Sequence, residues 1–293
     1  MQQFRQSAAI SDAVAAYLET GRHDEYFGSW KGDLFERARR GTTNLKEALI
    51  AEIRRRVAKA TTPAELRALD AAVFARRKLT PMVSGLFPAA EREPVLRMFE
   101  RSIVFLTPDN IEKIIADATW LSTAWELANL YLGSIGTSCL GDSDNGIVGF
   151  SEETTCYVSM EYFKPGPRFA DFVVHEAAHV FHNCKRRTIG LPEMRRREWL
   201  LDIEFRKRET FAYACEAYNR LLELGCSRSE RLAFVDDLAR EPMPSDERVD
   251  PAEYVDILRE AVSARNGWKR ILARCAPAHR AAIPEPMERT RLA

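Results

Sequence analysis

The chain has 293 residues, 46% of them hydrophobic and 29% charged, with 43 Lys+Arg balanced by 43 Asp+Glu. That length can bury a sizeable core without disulfide or metal staples. The zero formal net charge excludes a nucleic-acid coat and an anionic-membrane binder, both of which need a basic excess. Three basic runs, Arg54-Arg55-Arg56, Arg195-Arg196-Arg197 and Arg206-Lys207-Arg208, sit in helical patterns beside acids and read as solvated faces. The six cysteines include no CxxC pair, which excludes a zinc knuckle or a thioredoxin-type site. Free thiols in a reducing cytoplasm are expected, with a Cys139–Cys156 disulfide as the alternative. The N-terminus has no long apolar stretch, so no secretory leader is expected. The most apolar helical stretch, "IIADATWLSTAWELANLYLG", carries Asp117 and Glu126, which argues against a membrane span.

In chain order, residues 1–136 read as a helical N-terminal region and 137–293 as a second domain. Leu45, Ala48, Leu49, Ile53 and Val57 give the three-four spacing of an amphipathic helix over Asn44–Ala60. Thr62-Pro63-Ala64-Glu65 has the form of a capping box with proline at the first helical position. "TPDNIEKII" from Thr107 opens a helix predicted to reach about Leu132. After Gly133 the chain turns to Gly, Ser and Asp, a loop composition. "IVGF" from Ile147 and "TTCYVSMEYF" from Thr154 then predict an antiparallel hairpin. Its second strand would alternate Cys156, Val158, Met160 and Tyr162 with Tyr157, Ser159, Glu161 and Phe163. "DSDNGIVGFSEE" from Asp142 has acids at positions 1, 3 and 12 of a calcium loop, but its glycine is misplaced and strands flank it, so it reads as a polar turn. Helices follow over Arg168–Lys185, over Trp199–Leu224 with Gly225 as C-cap, and near 227–239 and 251–265. Asp250-Pro251-Ala252-Glu253 caps the last of these. The fold class is α+β and mostly α, with one small antiparallel β-element ahead of the 168–185 helix.

That helix carries "VVHEAAHVFHN", with His175, Glu176 and His179 in a His-Glu-x-x-His pattern. Positions i and i+4 share one helix face about 6 Å apart, so both imidazoles can reach one tetrahedral ion. The glutamate between them projects beside the ion, where it can deprotonate a water without ligating the metal. Phe172, Val173, Ala177, Val180, Phe181 and Cys184 supply an apolar face to anchor the helix. The preceding strand suits pairing with an extended peptide. His182 lies about 10.5 Å along the axis from His175, too far to share the ion, and reads as an outer partner or a structural residue. His23 and His279 are assigned nothing.

A third ligand is expected on the next helix. Asp202, Glu209 and Glu216 are spaced by seven and share one stripe, but only one can sit level with the ion. Glu209, flanked by Phe205, Ala212 and Tyr213, is favoured, because a half-buried carboxylate needs a cation. Glu216, Asp202, Glu193 and Glu198 are the alternatives. A salt bridge to Arg206 or to a basic residue elsewhere is the bland explanation of Glu209.

"HEAAH" followed by a glutamate on the next long helix resembles the gluzincin branch of the zinc metallopeptidases, over roughly Gly146–Leu224. The resemblance implies a zincin-like catalytic core, with His175, His179 and Glu209 as Zn2+ ligands and Glu176 as general base. Where many gluzincins place an aspartate to orient the first histidine, this chain has Tyr213, which leaves that partner unidentified. The metzincin pattern needs glycine at position 182, where this chain has histidine. The implied activity is peptide or protein hydrolysis, with Tyr157, Tyr162 and Tyr213 as candidate donors to the oxyanion. The alternative is a non-catalytic helical interaction module whose metal site is structural or latent.

Overall fold

The computed structural model describes residues 2–57, 60–141, 149–193 and 198–277. The architecture is mostly helical with one small mixed sheet. Among the described residues no helix is long and apolar enough to cross a membrane, and all six cysteines are free, so the Cys139–Cys156 disulfide is not formed. The chain divides into two compact units, each made of two segments: Met1–Phe74 with Glu100–Gly166, and Ala75–Phe99 with Pro167–Ala293. The compositional break near residue 137 falls inside the first unit.

The first unit holds α1 (Gln2–Thr20), α2 (Leu34–Arg56), α3 (Ala64–Arg67), the start of α4 (Ala71–Leu86) and the end of α5 (Ala89–Ser102). It continues with β1 (Ile103–Phe105), α6 (Ile111–Asp117), α7 (Leu121–Ser134), β2 (Gly149–Glu152) and β3 (Thr155–Val158). Leu45, Leu49 and Ile53 of α2 are buried with Ile115 of α6 and Leu127, Ala128 and Leu132 of α7, as the apolar spacing of α2 predicts. The single helix expected over residues 111–132 is two. Ala118 leaves helical geometry, and Lys46 donates to the carbonyls of Ala116 and Ala118 at 2.8 and 2.5 Å. A side-chain cation there satisfies carbonyls that would otherwise have to continue the helix.

The predicted hairpin is present as β2 and β3, although Ile147 and Val148 of its first strand, and most of the Asp142 acidic motif, lie outside the described residues. Its second strand stops at Val158. Ser159 caps a 3-10 turn over Met160–Phe163 by accepting from the Glu161 amide at 3.0 Å, which diverts the backbone from the alternation expected to Phe163. A parallel strand, β1, also joins β3, giving the order β1-β3-β2. Three residues are too short to signal a strand by periodicity. The Thr62 capping box does not form, because the Thr62 hydroxyl donates to Asp109 at 2.6 Å and α3 has no side-chain cap. In the first basic run Arg54 pairs with Glu112 and Arg55 with Glu52 as exposed side chains, the solvated pattern expected; Arg56 departs from it, half-buried against Glu52 and donating to the carbonyls of Ser138 and Cys139 at 2.8 Å. The run at 195–197 is outside the described residues.

The second unit holds the rest of α4 and α5, then α8 (Phe172–Asn183), α9 (Arg208–Leu224), α10 (Arg228–Leu238), α11 (Pro251–Ser263) and α12 (Gly267–Cys275). Helix α9 is its centre, with α8, α10, α11 and α12 all packed on it. The long helix expected from Trp199 starts nine residues later, at Arg208. Trp199 instead bridges back to Lys185, and the amides of Leu200 and Leu201 donate to Cys184 and Phe181. This return satisfies carbonyls at the C-terminus of α8 and ends it at Asn183, short of the predicted Lys185. Phe181 is wedged between Phe87 and Phe99 at ring distances of 5.2 and 5.5 Å. Arg186, wholly buried, forks onto Glu91 of α5 at 3.2 and 2.6 Å and donates to the Pro192 carbonyl. Helix α12 has no counterpart among the predicted elements.

Candidate metal centre

Helix α8 begins at Asp171, whose side chain accepts from the Val174 amide at 3.3 Å. A carboxylate at an N-cap satisfies an otherwise orphaned amide and suits the helix dipole. Eight of the twelve helical residues are buried, including the small Ala177 and Ala178 between the two histidines. Helices α8 and α9 run antiparallel. Asp171 meets Glu216 and Asn219, His175 meets Glu216, and His179 meets Glu209.

This pairing brings His175, His179 and Glu209 together. Among the described residues they are a group whose ligand atoms all lie within 4.8 Å of one another and could hold a metal ion. The Nε2 atoms of His175 and His179 are 3.1 Å apart, and Glu209 Oε2 is 3.8 and 3.4 Å from them. Donors about 2.0–2.1 Å from a tetrahedral ion stand roughly 3.3 Å from one another, so these three gaps match the edges of such a site. Two imidazoles and a carboxylate are also a donor set that zinc accepts.

The outer face of each imidazole is occupied. Nδ1 of His175 is 3.0 Å from Glu216 Oε2, and Glu216 Oε1 accepts from the Asp171 amide at 2.6 Å. Nδ1 of His179 is 3.1 Å from Nε2 of His182, whose own Nδ1 is 3.0 Å from Asn183 Oδ1. The consistent proton assignment puts hydrogens on Nδ1 of all three rings: His175 donates to Glu216, His179 to His182, and His182 to Asn183. Both inner Nε2 atoms then present lone pairs to one another and to a carboxylate oxygen. Such a cluster requires a cation between its members, whether proton or metal.

The electrostatics agree. Burial opposes a charge on His175, but hydrogen bonds to Glu209 and Glu216 outweigh it and raise its pKa to about 10. Burial likewise opposes the charge on Glu209, and the two histidines overcome it and hold that carboxyl well below the usual range. His182 is pushed the other way, to about 3, by burial and then by His179 and Arg208, so it stays neutral.

Three of the alternatives for the third ligand have other partners. Glu216 holds the far side of His175, the position that Tyr213 could not fill. Glu198 pairs with Lys185 at 2.6 Å and Glu193 with Arg187 at 3.6 Å. Glu209 does meet a basic residue on another element, as its bland explanation allowed: Arg248 at 3.3 Å, rather than Arg206. Glu176 is buried, and its charge helps to raise the pKa values of His175 and Tyr213. The Tyr213 ring stands edge-on to His175 at 4.5 Å, and burial with four surrounding carboxylates pushes its hydroxyl up to about 12. Tyr157 and Tyr162 belong to the first unit, and the Tyr162 ring lies against Phe74, Phe105 and Phe163.

Sequence reasoning missed Glu216 as an outer partner and Asp171 as the cap that links it to α8, and left the basic partner of Glu209, Arg248, without a number. Asp171 carried a signal, an Asp directly ahead of an apolar helical run. Compared with models of known protein families, with curated proteins and with solved structures, the chain matches none.

Proposed function

We propose that the second unit is a zincin-like hydrolase that cleaves peptide bonds, with His175, His179 and Glu209 as ligands of a zinc ion. The observation that carries this reading is the convergence of two imidazole Nε2 atoms and one carboxylate oxygen whose outer faces are already satisfied. A zinc ion, when bound, supplies a Lewis acid that polarises a carbonyl and acidifies water.

The remaining roles belong to the chain. Glu176, beside His175 on α8, accepts the proton of the water that attacks the scissile carbonyl carbon. As the C–N bond breaks it returns that proton to the leaving amine. The Tyr213 hydroxyl, which keeps its proton at any physiological pH, is the donor for the developing oxyanion. Glu216 and His182 fix the tautomers of the two ligand histidines. The reading resembles the gluzincin pattern in its motif and third ligand, and departs from it in drawing the outer carboxylate from position 216.

The test pairs elemental mass spectrometry of protein purified without chelator or affinity metal with a screen of unstructured peptides. Near-stoichiometric zinc, lost in His179→Ala, with hydrolysis lost in Glu176→Gln while zinc stays, is the expected result. Hydrolysis retained in Glu176→Gln sinks the mechanism. No metal even after zinc is supplied sinks the site.

A further inference from the structure

Glu209 divides its two oxygens between different partners. Oε2 faces the histidine pair, and Oε1 is 3.3 Å from Nη2 of Arg248. Arg248 comes from the connection between α10 and α11, thirty-nine residues further along the chain. It is itself held in place. Its Nε and Nη2 donate to the two oxygens of Asp246 at 2.8 and 2.5 Å, and its backbone amide donates to Asp246 Oδ1 at 2.8 Å. The Val249 amide closes the turn onto the Asp246 carbonyl, and the Val249 side chain is buried. A planar guanidinium locked on one carboxylate presents its remaining donors in a fixed direction. This arm therefore reaches Glu209 with little freedom of its own.

Resting on the metal reading above, we propose that Arg248 is the positioning residue for the ligand Glu209: it holds Oε1, so that Glu209 offers the ion Oε2 alone. A carboxylate free to offer both oxygens would fill the position a zinc site needs open for water and substrate. Arg248 does not touch the reacting atoms in this scheme. It also carries a positive charge close to a cation, so as a charge alone it would weaken metal binding. Positioning and charge thus predict opposite signs when the arginine is removed.

The experiment uses the full chain, stripped of metal and titrated with zinc against a competing chelator, and then loaded with cobalt(II) for its visible spectrum. Arg248→Ala is expected to weaken zinc about 10- to 100-fold, the usual cost of losing an outer partner of a metal ligand. Arg248→Lys, which keeps a donor but not the fork, is expected to recover part of that loss. In a Glu209→Ala background the further Arg248→Ala change is expected to cause no further loss of affinity, since the positioning acts only through the ligand and the charge effect has the opposite sign. The cobalt absorption of Arg248→Ala is expected to weaken as the second carboxylate oxygen raises the coordination number. Arg248 is half exposed, so folding is expected to survive, as circular dichroism melts would check; Asp246→Asn, which frees the same arm, provides a second variant with the same expected loss.

Unchanged or tighter zinc binding in Arg248→Ala, or an unchanged cobalt spectrum, overturns the proposal and leaves the metal site standing. Failure of the wild-type chain to bind either ion overturns the metal site itself, and the role of Arg248 with it.

Discussion

His175 donates through Nδ1 to Glu216, a carboxylate seven residues beyond Glu209 on the same helix, at 3.0 Å. Two helical turns separate the carboxylate that faces the inner nitrogens of the histidine pair from the one that faces the outer nitrogen of His175. One helix therefore supplies both, and their spacing makes them specialists: Glu209 faces the two inner nitrogens, where the proposed ion would sit, and Glu216 meets the outer nitrogen of His175. Glu216→Gln has one acceptor oxygen in place of two, so it must give up either His175 or the Asp171 amide. Zinc affinity is expected to fall about 10-fold in Glu216→Gln and toward 100-fold in Glu216→Ala, measured by chelator competition. Equal affinities in all three proteins would mean that the ring is oriented by packing alone.

The proton on His175 competes with metal. With the metal-free pKa near 10, binding a divalent ion at pH 7 must release about one proton from this residue. Apparent zinc affinity is then expected to climb about tenfold per pH unit from neutral toward pH 10. Calorimetry in buffers of different ionisation enthalpy counts the proton directly. A release of zero would place the neutral imidazole in the free protein.

The same shift has a sign for stability. His175 titrates near 6.5 when unfolded and near 10 when folded. Its contribution to the metal-free protein is full below pH 6.5 and is lost as pH rises toward 10. Glu209, held below its ordinary value, contributes in the opposite direction, with stability lost as pH falls below the usual carboxylate range. Thermal melts of metal-free wild type and His175→Gln are expected to converge as pH is raised from 6.5 to 10. Parallel curves over that window would contradict the ion cluster.

Arg186 is wholly buried, with Glu91 as its only charged partner among the described residues. Replacing it by alanine strands that carboxylate and is expected to cost about 3–5 kcal/mol, read by urea unfolding. The double change Arg186→Met with Glu91→Leu is expected to recover most of the loss.

Gly85 leaves no room for a side chain. A Cβ there would lie 2.1 Å from Cδ1 of Trp268, itself buried and standing edge-on to Tyr218 of α9 at 4.9 Å. Gly85→Ala is expected to cost about 1–3 kcal/mol through overpacking. The cost should appear as a lower denaturation midpoint at constant slope.

The inner site was legible because it is written in short-range spacing. His175 and His179 sit one turn apart, and Glu209 is the half-buried acid of the next helix. The outer partners depend on facts that spacing does not hold. That Glu216 reaches His175 depends on α8 and α9 being antiparallel and on their offset, which packing decides. The gluzincin pattern directed attention four residues past Glu209, to Tyr213, when the partner lay seven past it. Arg248 lies in a connection with no periodicity at all. Among the elements, the helix ends failed where a distant side chain or strand-like return intervened, as Lys46 does at Ala118 and Trp199 at Lys185. The three-residue strand β1 is too brief for alternation to speak.

The unit that carries His175, His179 and Glu209 is built from Ala75–Phe99 and Pro167–Ala293. During synthesis the first segment leaves the ribosome well before the second exists. Lys78 then waits for Asp171, with which it forms a salt bridge, and Glu91 waits for Arg186. Such delayed, long-range pairing slows folding and exposes apolar surface in the interim; here that surface includes Phe87, the later neighbour of Phe181. It also governs how the protein can be cut. A fragment starting near residue 137 would keep both histidines and Glu209, yet lack the helix that anchors Asp171, the N-cap of α8. Proteolytic removal of residues 1–136 would therefore be a way to switch the site off, and not a way to release it.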